Sequence, residues 1–96
     1  MTTARTRKVG VDLQDGSDDN RGVVEAIEAD NTDVEIGYMP GLIAVRSPTQ
    51  IVVRRETVER LLGRPWETHE FQMAIVSYFG NIADWDDDQI VIKWNH

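Results

Sequence analysis

Along residues 8–14, apolar and polar residues alternate, with Val9, Val11 and Leu13 set against Lys8, Gly10 and Asp12. A period of two predicts a half-buried strand. Residues 15–19 interrupt it with turn formers and several candidate N-caps. A helical period then runs to about Asp30. Val23, Val24 and Ile27 share one face with Asn20 beside them, while Arg21, Glu25 and Glu28 point away. Gly22, Ala26 and Ala29 make a smooth flank, expected to pack closely on a sheet. Asn31, Thr32 and Asp33 close this helix. Val34, Ile36 and Tyr38 restore the alternation, Pro40 and Gly41 turn the chain, and residues 42–45 and 50–54 read as two more strands around a turn at 47–49.

The next stretch organises the rest. Val58, Leu61 and Leu62 recur at the spacing of a buried helical stripe, and Glu56 stands four residues ahead of Arg60 as an ion pair. No good N-cap precedes it, so packing must start this helix. Gly63 fits the left-handed position after its last turn, Pro65 bars continuation, and Trp66 drops a large ring past the break. Glu67 or Thr68 is expected to open a longer helix that Gly80 ends. On it Phe71, Ile75, Val76 and Phe79 form an arc toward the core, leaving Glu70, Ala74 and Ser77 outward between Met73 and Tyr78. Residues 81–94 form a terminal hairpin around an acidic turn, with Ile90, Ile92 and Trp94 on one face. The expected order is β-α-β-β-β-α-α-β-β, an α+β fold with about three helices packed on a sheet. Residues 7–96 would form a single domain behind a flexible tail at residues 1–6.

Composition narrows the function. With 96 residues one domain is the default, and 41% hydrophobic residues supply an ordinary core. A net charge of −7 argues against nucleic acid as a partner and suits steering toward a basic protein surface. The absence of cysteine excludes disulfides and thiolate metal sites and fits a reducing, cytoplasmic setting. No apolar run is long enough to span a membrane, and residues 1–8 lack the apolar stretch of a signal peptide.

No catalytic chemistry emerges. Asp84, Asp86 and Asp88 have the spacing of a calcium loop, but its required glycine and glutamate positions hold Gln89 and Asn95. A solvated acidic turn is the expectation. His69 and His96 are too few for a histidine-built metal site, and no nucleophile–base arrangement or phosphate loop is readable. The chain is expected to be neither an enzyme nor a cofactor or metal carrier. Small residues bordered by methionine and tyrosine, as around Ala74 and Ser77, instead suit a surface that meets another protein, unless strands or the first helix cover that side. Trp85, in the acidic turn, either folds back over the hairpin or stands out as a binding anchor.

Four pieces of the sequence, in order, resemble one family. They are Gln14-Asp15 with residues 20–31, the RRETVERLLGRPW stretch at 54–66, Gly80-Asn81-Ile82, and DDDQIVIKW at 86–94. Together they resemble the effector (coupling, or regulatory) proteins of bacterial soluble diiron monooxygenases, which oxidise methane, phenol, toluene or alkenes. The resemblance spans roughly residues 8–94. It implies a cofactor-free, monomeric partner of the hydroxylase α subunit that alters the hydroxylase near its diiron site and couples electron use to substrate oxidation. It also implies competition with reductase or ferredoxin for overlapping surface. The family's contact positions before the closing glycine fall on Ala74, Val76, Ser77 and Tyr78; with Glu70 and Met73 from the outward face and Trp85 from the acidic turn, the expected docking set is Glu70, Met73, Ala74, Val76, Ser77, Tyr78 and Trp85. Val76 and Tyr78 are bulkier than the small hydroxylated residues of the methane branch, and the N-terminus is shorter, so the phenol, toluene and alkene branches look closer. The alternative is a small adaptor or metabolite-binding α+β domain unconnected with oxygenases.

Overall fold

A computed structural model describes residues 8–94; the expected tail at 1–6, together with residue 7, Asn95 and His96, lies outside the described residues. Strand β1 (Val9–Gln14) buries Val9, Val11 and Leu13 completely, as its alternation predicts, but Gly10 and Asp12 are buried as well, so the strand is not the half-buried one expected. It lies inside a four-stranded antiparallel sheet ordered β2-β3-β1-β5, where β2 is Glu35–Met39, β3 is Leu42–Ser47 and β5 is Ile75–Phe79. A second antiparallel sheet is ordered β4-β7-β6, with β4 at Gln50–Arg54, β6 at Asn81–Trp85 and β7 at Gln89–Lys93. Register places Ile43 and Val45 beside Leu13 and Val11 on the inner face of the first sheet. Ile51, Val53, Ile90 and Ile92 of the second sheet and residues of three helices close over that face. The fold class is α+β, with two sheets and one strand more than the pattern predicts.

Helix α1 (Asp18–Asp30) starts where Ser17 Oγ accepts the Asn20 N–H at 3.2 Å. At its other end the Asn31 amide donates 2.8 Å bonds to the carbonyls of Ile27 and Val52 and accepts the Val52 N–H at 3.0 Å. One side chain thus caps the helix and satisfies the outer edge of β4. The flank of small residues divides: Ala26 is buried, Ala29 is exposed, and Gly22 meets the next helix in the chain rather than a sheet. A Cβ on Gly22 would fall 2.4 Å from Leu62 Cδ2.

Helix α2 (Arg55–Leu62) has no side-chain cap, and Gly63 ends it at φ 73° with its N–H on the Glu59 carbonyl at 2.8 Å. Two details depart from the sequence pattern. The ion pair is Arg55–Glu59 at 3.4 Å rather than Glu56–Arg60, and Thr57 is buried with Val58 while Leu61 faces solvent. Trp66 is buried as the aromatic lock.

The larger correction concerns the expected last helix. Helix α3 covers only His69–Ala74, and Ile75–Phe79 leaves it as strand β5, paired to β1. β-branched and aromatic residues fill that stretch, and β1 offers an open edge whose backbone groups need partners. Tertiary pairing therefore overrides the helical reading. The expected arc breaks up accordingly: Phe71 is buried, Ile75 half-buried, and Val76 and Phe79 are exposed. Thr68 stands at the N-cap of α3, as expected, but makes no side-chain cap bond; its hydroxyl donates to the Asp86 carbonyl at 2.6 Å. Gly80 ends no helix either. At φ 128° it carries the chain from the first sheet into the second, where a Cβ would lie 3.1 Å from Val9 and 3.2 Å from Ile92.

Candidate docking surface

Where α3, β5 and β6 meet, the two sheets leave one end of the core uncovered. Register with Leu13 and Val11 puts Ile75 and Tyr78 on the inner face of β5, and register with Ile92 and Ile90 puts Ile82 and Trp85 on the inner face of β6. With Gln72 from α3 they line an open cleft of about 480 Å³. Trp85 folds back far enough to meet Phe71 edge-on, with ring centroids 6.3 Å apart, while another part of it remains in the cleft wall. Of the cleft residues Tyr78 is 45% exposed and Ile82 is exposed too; next to them in the chain Met73, on the last turn of α3, is 77% exposed and Val76, on β5, 55%, while the exposed Phe79 lies on the outer face of the sheet against Arg46. Large apolar side chains so concentrated, with no other element among the described residues over them, are unusual away from a contact surface.

The seven expected residues do not share one helix face. Met73, Val76 and Tyr78 are exposed at the end of α3 and on β5, and of the seven only Tyr78 and Trp85 line the cleft. Ala74 is only 7% exposed, lodged beside Val23 and Phe71, because the helix turns that face onto α1. Ser77 points to the outer face of the first sheet, where its hydroxyl donates to Asp12 Oδ2 at 2.9 Å. Glu70 is engaged locally, accepting the Glu67 N–H at 2.9 Å and lying 3.3 Å from Arg64. Ile82 and Gln72 belong to the surface and were not singled out by the sequence pattern. Reading residues 75–79 as a strand, with Gly80 as a crossing point, would have found Ile82.

Electrostatics at this end are acidic. Asp84, Asp86, Asp87 and Asp88 surround Trp85 in sequence, and Asp86 Oδ1 accepts the N–H groups of Asp88 and Gln89 at 2.8 and 2.9 Å. That carboxylate shapes the turn itself. Among the described residues no three His, Cys, Asp or Glu side chains gather so as to hold a metal ion. None of the described helices is long and apolar enough to cross a membrane.

Residues 7–93 match the model of the MmoB/DmpM family. The chain is 38% identical over 80 residues to the stimulatory component DmpM of phenol 2-monooxygenase from Pseudomonas sp. (strain CF600), covering 83% of this chain and 88% of that one. It superimposes on a chain of a phenol hydroxylase–regulatory protein complex with a TM-score of 0.85 at 36% identity, over 93% of this chain and all of that one. The soluble methane monooxygenase regulatory protein B shares the fold, with a TM-score of 0.71 at 19% identity, over 99% of this chain and 70% of that one. With the family model matching nearly the whole described chain, this protein belongs to the MmoB/DmpM family.

Proposed function

We propose that this chain is the non-catalytic regulatory component of a soluble diiron monooxygenase and acts in the cytoplasm by docking on the hydroxylase. The observation that carries this is the uncovered apolar end at Met73, Val76, Tyr78 and Ile82, on a chain whose relatives include a stimulatory component of phenol 2-monooxygenase. Family membership sets aside the reading as an adaptor unconnected with oxygenases.

Docking acts through conformation. An effector shifts an equilibrium only as far as it binds one state better than the other, and turning a 1:99 mixture into 99:1 takes about 10⁴-fold preference, roughly 5.5 kcal/mol. A compact apolar contact at this end supplies part of that difference if the matching hydroxylase surface forms in one state only. The hydroxylase then changes at its diiron site and spends electrons on substrate rather than on futile oxygen reduction. Choice of substrate stays with the hydroxylase pocket.

The test is a titration with hydroxylase, reductase and substrate. Product formation rises steeply until this protein matches the hydroxylase active sites, then falls at large excess as it competes with the electron donor. A turnover rate that ignores the added protein rejects the proposal. Sedimentation of the free protein checks its monomeric state.

A further inference from the structure

Strand β1 has neighbours on both sides, yet its outward face carries an acid. Asp12 is 8% exposed between Ala44 of β3 and Ser77 of β5. Aspartate is a poor strand former, and a buried carboxylate is costly unless it is paired and hydrogen-bonded. Both oxygens are engaged. Arg46 Nη1 donates to Oδ1 at 2.8 Å, and Ser77 Oγ donates to Oδ2 at 2.9 Å. Arg46 reaches the acid by lying across Gly10, where a Cβ would fall 2.8 Å from both Cδ and Nη1 of the arginine. The same guanidinium lies 4.8 Å from the centroid of the Phe79 ring. One attachment through Ser77 and one through Phe79 therefore end on β5.

The strand they hold is irregular and paired on one side only. Ser77 stands opposite Asp12 and Ile75 opposite Leu13, so Val76 is the extra residue of a bulge. A bulge that moves by one residue sends the intervening side chains to the opposite face of the sheet. Ser77 is the one short hydroxyl in Ile75–Phe79. A slip of one residue sets Val76 or Tyr78 opposite Asp12 and leaves a buried carboxylate oxygen without its donor.

We infer that Asp12 is a positioning residue: with Ser77 and Arg46 it pins the register of β5 and so sets where Val76 and Tyr78 stand. Its functional half rests on the docking reading; its structural half rests on the register alone. The hydroxyl at position 77 is the separable part, because threonine keeps it while valine has nearly the same shape without it.

The experiment measures amide hydrogen exchange in the full chain, at residues 75–79 and at Val24 and Ile27 of α1. Ser77→Thr should protect β5 within about twofold of the parent. Ser77→Val and Asp12→Ala should exchange there about tenfold faster or more, with α1 unchanged. Equal protection in the threonine and valine variants overturns the pin, and this pair decides even if Asp12→Ala fails to fold. A hydroxylase titration with Asp12→Asn, which touches no proposed contact residue on the partner side, should need about fivefold more protein for half-maximal stimulation. Fast β5 exchange with an unaltered titration overturns the functional half. A parent protein that stimulates no hydroxylase rejects the docking reading and leaves the exchange result standing on its own.

Discussion

The backbone N–H of Trp66 donates to Glu59 Oε2 at 2.8 Å, so a carboxylate on α2 holds the chain that has just left that helix. The bond spans the Gly63 turn and fixes the buried Trp66 ring over the core.

A dependence on acid follows. The Trp66 N–H, aided by Arg55, holds the Glu59 carboxyl below its ordinary value of 4.5 against the opposing effect of desolvation. A folded pKa below the unfolded one gives stability that is present above pH 4.5 and is lost as pH falls through the folded value. Melting temperature measured from pH 6 downward should fall less steeply in Glu59→Gln than in the parent once the pH drops below about 4.5. Parallel acid limbs would remove Glu59 from the account.

Gly63 offers a cleaner backbone test. A Cβ there meets nothing within 4 Å, so Gly63→Ala adds no clash and costs only the left-handed conformation at φ 73°. The expected loss is about 1–2 kcal/mol, or roughly 4–8 °C in melting temperature for each kcal/mol in a domain of this size. Gly63→Asn should lose less, since asparagine tolerates that region better.

Substitutions around α3 should separate folding from docking. Ala74→Trp forces a ring into the packed space beside Val23 and Phe71 and should destabilise the fold by about 1–3 kcal/mol or more. Val76→Asp should melt like the parent, because that side chain already faces solvent. Placing a charge on an apolar contact should still weaken hydroxylase binding by about 1.4 kcal/mol or more, roughly tenfold. Equal binding by Val76→Asp and the parent would move the docking surface elsewhere.

Thr68 gives a fourth measurement. Its buried hydroxyl ties the start of α3 to the acidic turn through the Asp86 carbonyl at 2.6 Å. Thr68→Val should cost about 1–2 kcal/mol by thermal melting. Thr68→Ser should cost less, since it keeps the bond.

The strands at Val9, Ile51 and Ile90 were legible because one face of each is buried and the side-chain period of two shows through. Residues 75–79 were not. Paired apolar residues at Ile75-Val76 and Tyr78-Phe79 fit either period, and the bulge at Val76 breaks the alternation that would mark a strand. The deciding interaction, the open edge of β1, lies more than sixty residues away in sequence. Met73, Val76 and Tyr78 were named for the docking surface, but from a helix that does not extend that far. Ala74 does lie on the helix, but its face turns inward because α1 packs there. Asp12 read as an ordinary solvent-side residue of an alternating strand, and its burial depends on Arg46 and Ser77 arriving from two other strands.

The bulge at Val76 has a further consequence, for solubility. Strand β5 ends its sheet, contains no charged residue and no proline, and exposes three large apolar side chains at Val76, Tyr78 and Phe79. Such an edge invites another chain to add a strand and start a growing stack, and proteins guard against this with charges, prolines or local irregularity. Here irregularity is the only guard present within the strand, because an extra residue bends the backbone and spoils the even row of donors and acceptors that a stacking strand would need. A kink of this kind makes the exposed edge a poor template for a second copy of the same chain.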